Sequence, residues 1–234
     1  MVPAEAARRT LVFRGPPRRL RLQTDLPSVQ DAHLEPDDAL KRLTSVRRPF
    51  RLRTDRNGML YKIVAKLDRS TPPGEYRATL ASTEGETPVQ LHVEPCVRLG
   101  LFPGNLIFHG NAGSKPEAHL LLVNKGNVPL EIPDAVTVSM CNDKGLEKAY
   151  TSALLTKSND LNTLFSHFID RLRATHGGLL TLTFLDGSGS LEPGQRRAAV
   201  IKADFSPRLA GGESYHGLLT LHSASQIVSA IVTS

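Results

Sequence analysis

Histidine, cysteine and serine most often carry catalysis or hold metal ions, and their spacing here points to neither. The chain has eight His and two Cys among 234 residues. No His pair has the H-E-x-x-H spacing that places two imidazoles and a carboxylate on one helix face. The run Asp186-Gly187-Ser188-Gly189-Ser190 lacks the G-x-S-x-G nucleophile elbow and is typical of a flexible loop. We therefore expect no enzyme, no catalytic residue, no metal site and no cofactor.

The two cysteines, Cys96 and Cys141, allow two interpretations. Two Cys are too few for a four-cysteine zinc site or a disulfide-dense scaffold. If their strands adjoin in an oxidising compartment, a disulfide between them would stabilise the fold by about 2–4 kcal/mol. Otherwise they are two separate buried thiols. Their positions in the sequence do not decide, because a disulfide requires a specific Cα distance.

The positive charge is concentrated in the first part of the chain. The chain has 29 basic and 23 acidic residues, a net charge of +6, and residues 1–95 carry +5 of it. Many arginines alternate with apolar residues, as in Arg19-Leu20-Arg21-Leu22, which places them on the wet face of a strand. Aromatics make up 5% and Trp is absent, so the base-stacking surface of a nucleic-acid site is missing. We expect a solvated face, or a contact for an acidic partner or an anionic surface, and no nucleic acid. The first contact candidates are Arg47, Arg48, Arg51 and Arg53.

Short strand patterns bounded by Pro, Gly and Asp occur along most of the chain. Regular spacing of such strands predicts an all-β fold of two tandem sandwiches. We place the domains at 1–95 and 96–234, with a helical insertion at about 143–177. Within it, Asn159–Arg173 has apolar residues at helical spacing, and a shorter helix is expected near Leu146–Leu155. No apolar run is long enough to span a membrane, and residues 1–9 lack the apolar stretch of a signal peptide.

Three stretches of the second half carry a series of short motifs: Leu101–Gly110, Leu120–Ile132, and Leu191–Gln195 followed by Ala203–Pro207 and Gly217–Leu221. They resemble the PapD-like immunoglobulin superfamily, especially its Hydin-type (ASH) and bacterial envelope modules. In that family "P-x-x-L-x-F", "L-x-N-x-G-N-x-P-L-x-I", "L-x-P-G" and "F-x-P" follow in this order. In the first half, Tyr61–Leu67, Thr71–Leu80 and Val89–Val93 resemble the last three strands of a bacterial envelope immunoglobulin-like domain. The resemblance implies two tandem immunoglobulin-like β-sandwiches, the second with the helical insertion.

The resemblance implies a non-catalytic protein-binding or assembly module of the bacterial cell envelope, periplasmic or secreted. Such a module would contact another envelope protein through strand edges or loops. An alternative is a periplasmic chaperone of pilus assembly, which lends a strand to a pilin-like subunit. In that case Val89, Leu91 and Val93 would alternate as the donor strand. The short turn at Thr83–Thr87 argues against the alternative, since such chaperones usually carry a long loop there.

Overall fold

The computed structural model describes residues 10–24, 33–38, 41, 50–51, 53–57, 60–82, 85–142, 144–156, 160–174 and 176–234. These residues form eighteen strands and two helices, and they divide into two compact units. Unit 1 is Met1–Arg98 together with two loops of the later chain, Asn124–Pro129 and Glu192–Gly194. Unit 2 is Leu99–Val123, Leu130–Leu191 and Gln195–Ser234. The first unit's main segment ends at Arg98, whereas the boundary predicted from the sequence lies at Pro95, three residues earlier.

The described residues of unit 1 form eight strands, which are joined in one continuous ladder of backbone hydrogen bonds. The strands are β1 (Leu11–Gly15), β2 (Leu20–Thr24), β3 (His33–Pro36), β4 (Phe50–Arg51), β5 (Arg53–Asn57), β6 (Leu60–Ala65), β7 (Gly74–Ser82) and β8 (Gly85–Val93). Their order is β4-β3-β7-β8-β1-β2-β6-β5. Strand β1 pairs antiparallel with β2 and parallel with β8, so it joins the two halves of the ladder.

The core of unit 1 follows the strand alternation that the sequence shows. Leu20 and Leu22 of β2 are buried, whereas Arg19 and Arg21 are exposed. Phe13 of β1 is completely buried with the other apolar side chains of this core. Each buried apolar side chain of this size contributes about 1.5–3 kcal/mol to folding.

The described residues of unit 2 form ten strands and the two helices. The strands are β9 (Leu99–Phe102), β10 (Asn105–Gly110), β11 (Glu117–Asn124), β12 (Leu130–Ile132), β13 (Ala135–Asn142), β14 (His176–Asp186), β15 (Gly189–Leu191), β16 (Arg196–Asp204), β17 (Ser214–Leu221) and β18 (Ala224–Val232). The main ladder is β10-β18-β17-β13-β14-β16-β11-β9, and β12 pairs with β15 separately. Strands β9 and β10 follow each other in the chain but lie at opposite ends of this ladder.

The helices α1 (Gly145–Leu154) and α2 (Leu161–Ala174) are inserted between the paired strands β13 and β14. Both helices were predicted within two residues of these limits. The predicted fold class, all-β with two tandem immunoglobulin-like sandwiches and a helical insertion in the second, is confirmed. No helix in the described part of the chain is long and apolar enough to cross a membrane.

Candidate binding surfaces

Seven cationic side chains of unit 1 line two adjoining cavities beside the turn between β1 and β2. The first cavity, of 360 Å³, is lined by the turn, by Cys96 and by five cations. The second, of 380 Å³, shares Pro16 and Arg19 with the first and has one acidic residue, Glu94. We call the seven residues the basic cluster: Arg14, Arg18, Arg19, Arg21, Arg69, Arg98 and Lys125. The basic cluster thus places seven positive charges around two cavities whose lining contains a single carboxylate, that of Glu94.

The turn that carries Arg18 and Arg19 is fixed by its backbone. The N–H of Arg19 donates to the carbonyl of Pro16 over 2.8 Å, which closes a turn with Pro17 at its second position. The N–H of Leu67 donates to the carbonyl of Pro17 over 2.7 Å, and that of Glu94 to the carbonyl of Gly15 over 3.0 Å. The turn is therefore held from both sides, and its two arginines project from a rigid base.

Two arginines of the cluster lie directly opposite each other. Arg14 of β1 and Arg21 of β2 are Cα partners in the antiparallel pair, and both are exposed. Like charges in directly opposed positions of two strands destabilise the pairing. Within the part of the chain that the structure describes, none of the six arginines of the cluster forms an ion pair. The repulsion between Arg14 and Arg21 is thus not offset by an ion pair with any described carboxylate.

A buried asparagine ties together the segments that carry the other cations. Asn127, which is 2% exposed, accepts a hydrogen bond from the N–H of Cys96 over 2.6 Å. Its side-chain amide donates to the carbonyls of Thr71 and Glu94, over 3.0 and 3.1 Å. These bonds fix the segment after β8 and the turn next to Arg69.

The tight turn that contains Lys125 is fixed in the same way. The N–H of Lys125 donates to the carbonyl of Arg98 over 2.7 Å. The side chain of Asn124 accepts the N–H of Gly126 and donates to the carbonyl of Val128. A Cβ atom on Gly126 would lie 2.0 Å from the carbonyl oxygen of Cys96, so the close approach requires glycine. Arg98 and Lys125 are therefore neighbours on a rigid backbone.

The helical insertion of unit 2 exposes apolar side chains. Phe165 is 65% and Leu161 78% exposed, and Leu146, Tyr150, Leu154 and Leu155 are also exposed. The helical spacing of the apolar residues in Asn159–Arg173 favours a stripe docked on the sandwich, with a partner-binding face as the alternative. Leu164, Phe168, Ile169 and Leu172 of that stripe are half-buried. The stripe is therefore only partly covered within this chain.

Two carboxylates stabilise this insertion. Asp160 caps α2, because its side chain accepts hydrogen bonds from the hydroxyl of Thr163 and from the N–H groups of Thr163 and Asn162. These bonds lower the pKa of Asp160. Glu213 accepts hydrogen bonds from Lys148 and Asn142, both over 2.8 Å, and the bond from Lys148 is the main reason that the pKa of Glu213 is lowered.

The predicted contact arginines are only partly within the described structure. Arg47 and Arg48 lie outside the described residues. Arg51 belongs to β4 and Arg53 to β5, and these two strands are the outermost strands of the unit 1 ladder. Among the described strands of unit 1, both residues therefore lie on edge strands, where backbone groups can pair with another chain.

Val89, Leu91 and Val93 lie in the core of unit 1 and do not form a contact surface. They are 2%, 0% and 1% exposed. Strand β8 pairs with β7 on one side and with β1 on the other. A donor-strand role would require β8 to leave its own sheet, because both of its edges are occupied. The alternating pattern arises here from burial of one face in the unit's own core.

Cys96 and Cys141 are free thiols, so the structure contains no disulfide between them. Cys96 is half-buried and Cys141 exposed, so neither is the buried thiol that the second interpretation expected. Cys141 opposes His176 at an irregularity of the β13–β14 pair. In the described residues, no three His, Cys, Asp or Glu side chains are grouped so that they could hold a metal ion.

The sequence identified some of the cluster and missed its organisation. Arg14, Arg18, Arg19 and Arg21 belong to the early basic residues, but Arg69, Arg98 and Lys125 did not stand out. Asn124–Asn127 lies in one of the stretches that resemble the PapD-like superfamily, but the role of Asn127 in joining this turn to Thr71 and Glu94 was not predicted. The only sequence signal for the role of Asn127 is its place in a turn that also contains Gly126. Turns with Asn and Gly are common, so this signal does not single out Asn127.

Comparison with known proteins finds solved structures that are similar in fold, but no related sequence. No protein-family model matches the sequence, and no curated protein matches it. The chain is similar to the ASH/PapD-like domain 7 of human CEP192, at 14% identity and a TM-score of 0.31, over 61% of this chain and 93% of that one. It is similar to domains 4 and 5 of the S-layer protein SbsC, at 11% identity and a TM-score of 0.30, over 92% and 82%. It is also similar to a structure of Dpr11 IG1 bound to DIP-gamma IG+IG2, at 10% identity and a TM-score of 0.31, over 97% of each chain.

These likenesses are too distant to assign a family or a function. The strand order and the parallel pairing of β1 with β8 and of β10 with β18 are observed directly in this chain. They establish two immunoglobulin-like β-sandwiches, of which the first carries the basic cluster and the second the helical insertion.

Proposed function

We propose that the chain is a non-catalytic protein-binding or assembly module of the bacterial cell envelope, located in the periplasm or secreted. It binds another envelope protein, through an acidic surface of that protein, by loop and strand-edge contacts of unit 1. The location rests on the resemblance of stretches in both halves of the sequence to bacterial envelope modules.

The observation that carries this proposal is the direct opposition of Arg14 and Arg21. Two exposed guanidinium groups in one cross-strand pair cost stability when no anion lies between them. An acidic side chain of a partner that binds across the pair would remove this repulsion. Charge complementarity of this kind raises the association rate and selects the partner.

The proposal is tested by identifying a partner and then measuring its affinity with purified proteins. Envelope extract from the source organism is passed over the immobilised 234-residue chain, and each captured protein is purified for titration. The Arg14→Glu/Arg21→Glu variant should bind the partner at least tenfold more weakly, since it reverses charges at the contact. The matched control, Arg77→Glu, changes an exposed arginine of β7 outside the basic cluster and should alter affinity less than twofold.

The outcome separates the binding-module function from other functions. Unchanged affinity of the Arg14→Glu/Arg21→Glu variant would contradict the proposed contact. Turnover of ester, glycoside or peptide substrates by the purified chain would contradict a non-catalytic role. The pilus-chaperone alternative predicts a pilin-like subunit as the partner and genes for a pilin and an usher beside this one, and nothing in the placement of β8 favours it.

A further inference from the structure

The first cavity of the basic cluster has the composition of an oxyanion site. Five of its eight lining residues are cations, and none is a carboxylate. Arg18 and Arg19 come from the β1–β2 turn, Arg69 from the turn after β6, Arg98 from the segment after β8, and Lys125 from the loop after β11. Four separate chain segments thus meet around a cavity of 360 Å³, and each of them contributes positive charge to its lining.

We propose that this cavity binds a phosphoryl or diphosphoryl group. A guanidinium presents a planar fork of N–H donors that matches phosphate oxygens bidentately, and four such forks line the cavity. A single carboxylate carries one charge and is matched by one arginine. Convergence of five cations therefore fits a compact anion with two or more charges. This inference goes beyond the proposed function, because the ligand is a small oxyanion and needs no partner protein.

The cavity is held in shape before any ligand binds. The turn that bears Arg18 and Arg19 is fixed by hydrogen bonds to Leu67 and Glu94. Asn127 joins the segments next to Arg69 and Arg98 through Thr71, Glu94 and Cys96. Binding then has to order only side chains, so less of the interaction energy is lost to conformational entropy.

The test is a calorimetric titration of the 234-residue chain with inorganic diphosphate, inorganic phosphate and acetate at constant ionic strength. We expect saturable binding of one diphosphate, weaker binding of phosphate, and no saturable binding of acetate. Arg98→Gln and Arg69→Gln should each weaken diphosphate binding at least tenfold, and Arg98→Lys should have an intermediate effect because it keeps the charge but loses the fork. Arg77→Gln is the matched control and should change affinity less than twofold.

Vesicles distinguish the source of the phosphoryl group. Co-sedimentation with phosphatidylcholine vesicles that contain phosphatidic acid is compared with vesicles of phosphatidylcholine alone. If the chain binds the vesicles with phosphatidic acid and the Arg69→Gln variant does not, the ligand is a lipid headgroup. If the chain binds free diphosphate but does not bind these vesicles, the ligand is a soluble phosphate compound. The proposal is overturned if neither binds, if acetate competes as well as phosphate, or if variants with wild-type circular dichroism bind like the wild type. These measurements contain no partner protein, so their outcome is independent of whether the proposed protein-binding function is correct.

Discussion

The substitution Asn127→Ala tests whether one buried amide holds the segments of the basic cluster together. It removes one acceptor and two donors, and leaves the N–H of Cys96 and the carbonyls of Thr71 and Glu94 without these partners. The Asn127 side chain is 2% exposed, so water replaces these bonds poorly. At about 1 kcal/mol for each of three hydrogen bonds, the free energy of unfolding should fall by about 3 kcal/mol.

Urea unfolding followed by circular dichroism measures this loss. With a slope of about 3 kcal/mol per molar urea, the midpoint should fall by about 1 M. Diphosphate affinity should fall as well under native conditions, because the segments next to Arg69 and Arg98 are no longer joined. The control Asn162→Ala alters an exposed Asn of α2 and should change stability by less than about 0.5 kcal/mol. A midpoint shift below about 0.3 M for Asn127→Ala would refute the reasoning, since that corresponds to less than one hydrogen bond.

Three further substitutions test other features of the structure. Asp160→Ala should lower the far-ultraviolet helical signal, whereas Asp160→Asn should keep it, because Asn is also a good N-cap. The pKa of Asp160 is lower in the folded chain than in the unfolded chain. The stability that its carboxylate gives α2 is therefore fully present above the unfolded pKa and should be lost as pH falls through the folded pKa. A pH titration of the far-ultraviolet helical signal measures this loss. Gly126→Ala should lower the thermal midpoint, because its Cβ would meet the carbonyl of Cys96, whereas Gly104→Ala has open space and should not. Leu91→Glu should unfold unit 1 in thermal denaturation, because it buries an unpaired carboxylate at a completely buried position, and a folded variant would contradict the core placement.

The sequence predicted the elements because each depends on its own local pattern. Leu20 and Leu22 are buried and Arg19 and Arg21 exposed, as period-two alternation requires. Helix α2 was predicted because its apolar residues recur with a helical period and Asp160 precedes them. The same local pattern failed for Val89, Leu91 and Val93. Alternation shows that one face of a strand is buried, but it does not show whether the covering surface belongs to the same chain.

The candidate site was only partly predictable because it is assembled from distant segments. Arg18, Arg69, Arg98 and Lys125 are brought to one cavity by the fold, and no local pattern links them. Asn127 likewise makes its contacts with residues 31 and 56 positions earlier in the chain. Such a site becomes visible only after the strands are paired.

In unit 1, the parallel pairing of the first strand with the last has a mechanical consequence. Strand β1 runs parallel to β8 over five residue pairs. Tension applied to the two ends of this unit pulls the paired strands past each other along their length. All the hydrogen bonds between the two strands then bear the load together in shear, whereas strands that are peeled apart from one end lose their bonds one at a time. Unit 1 is therefore arranged to resist stretching along the chain.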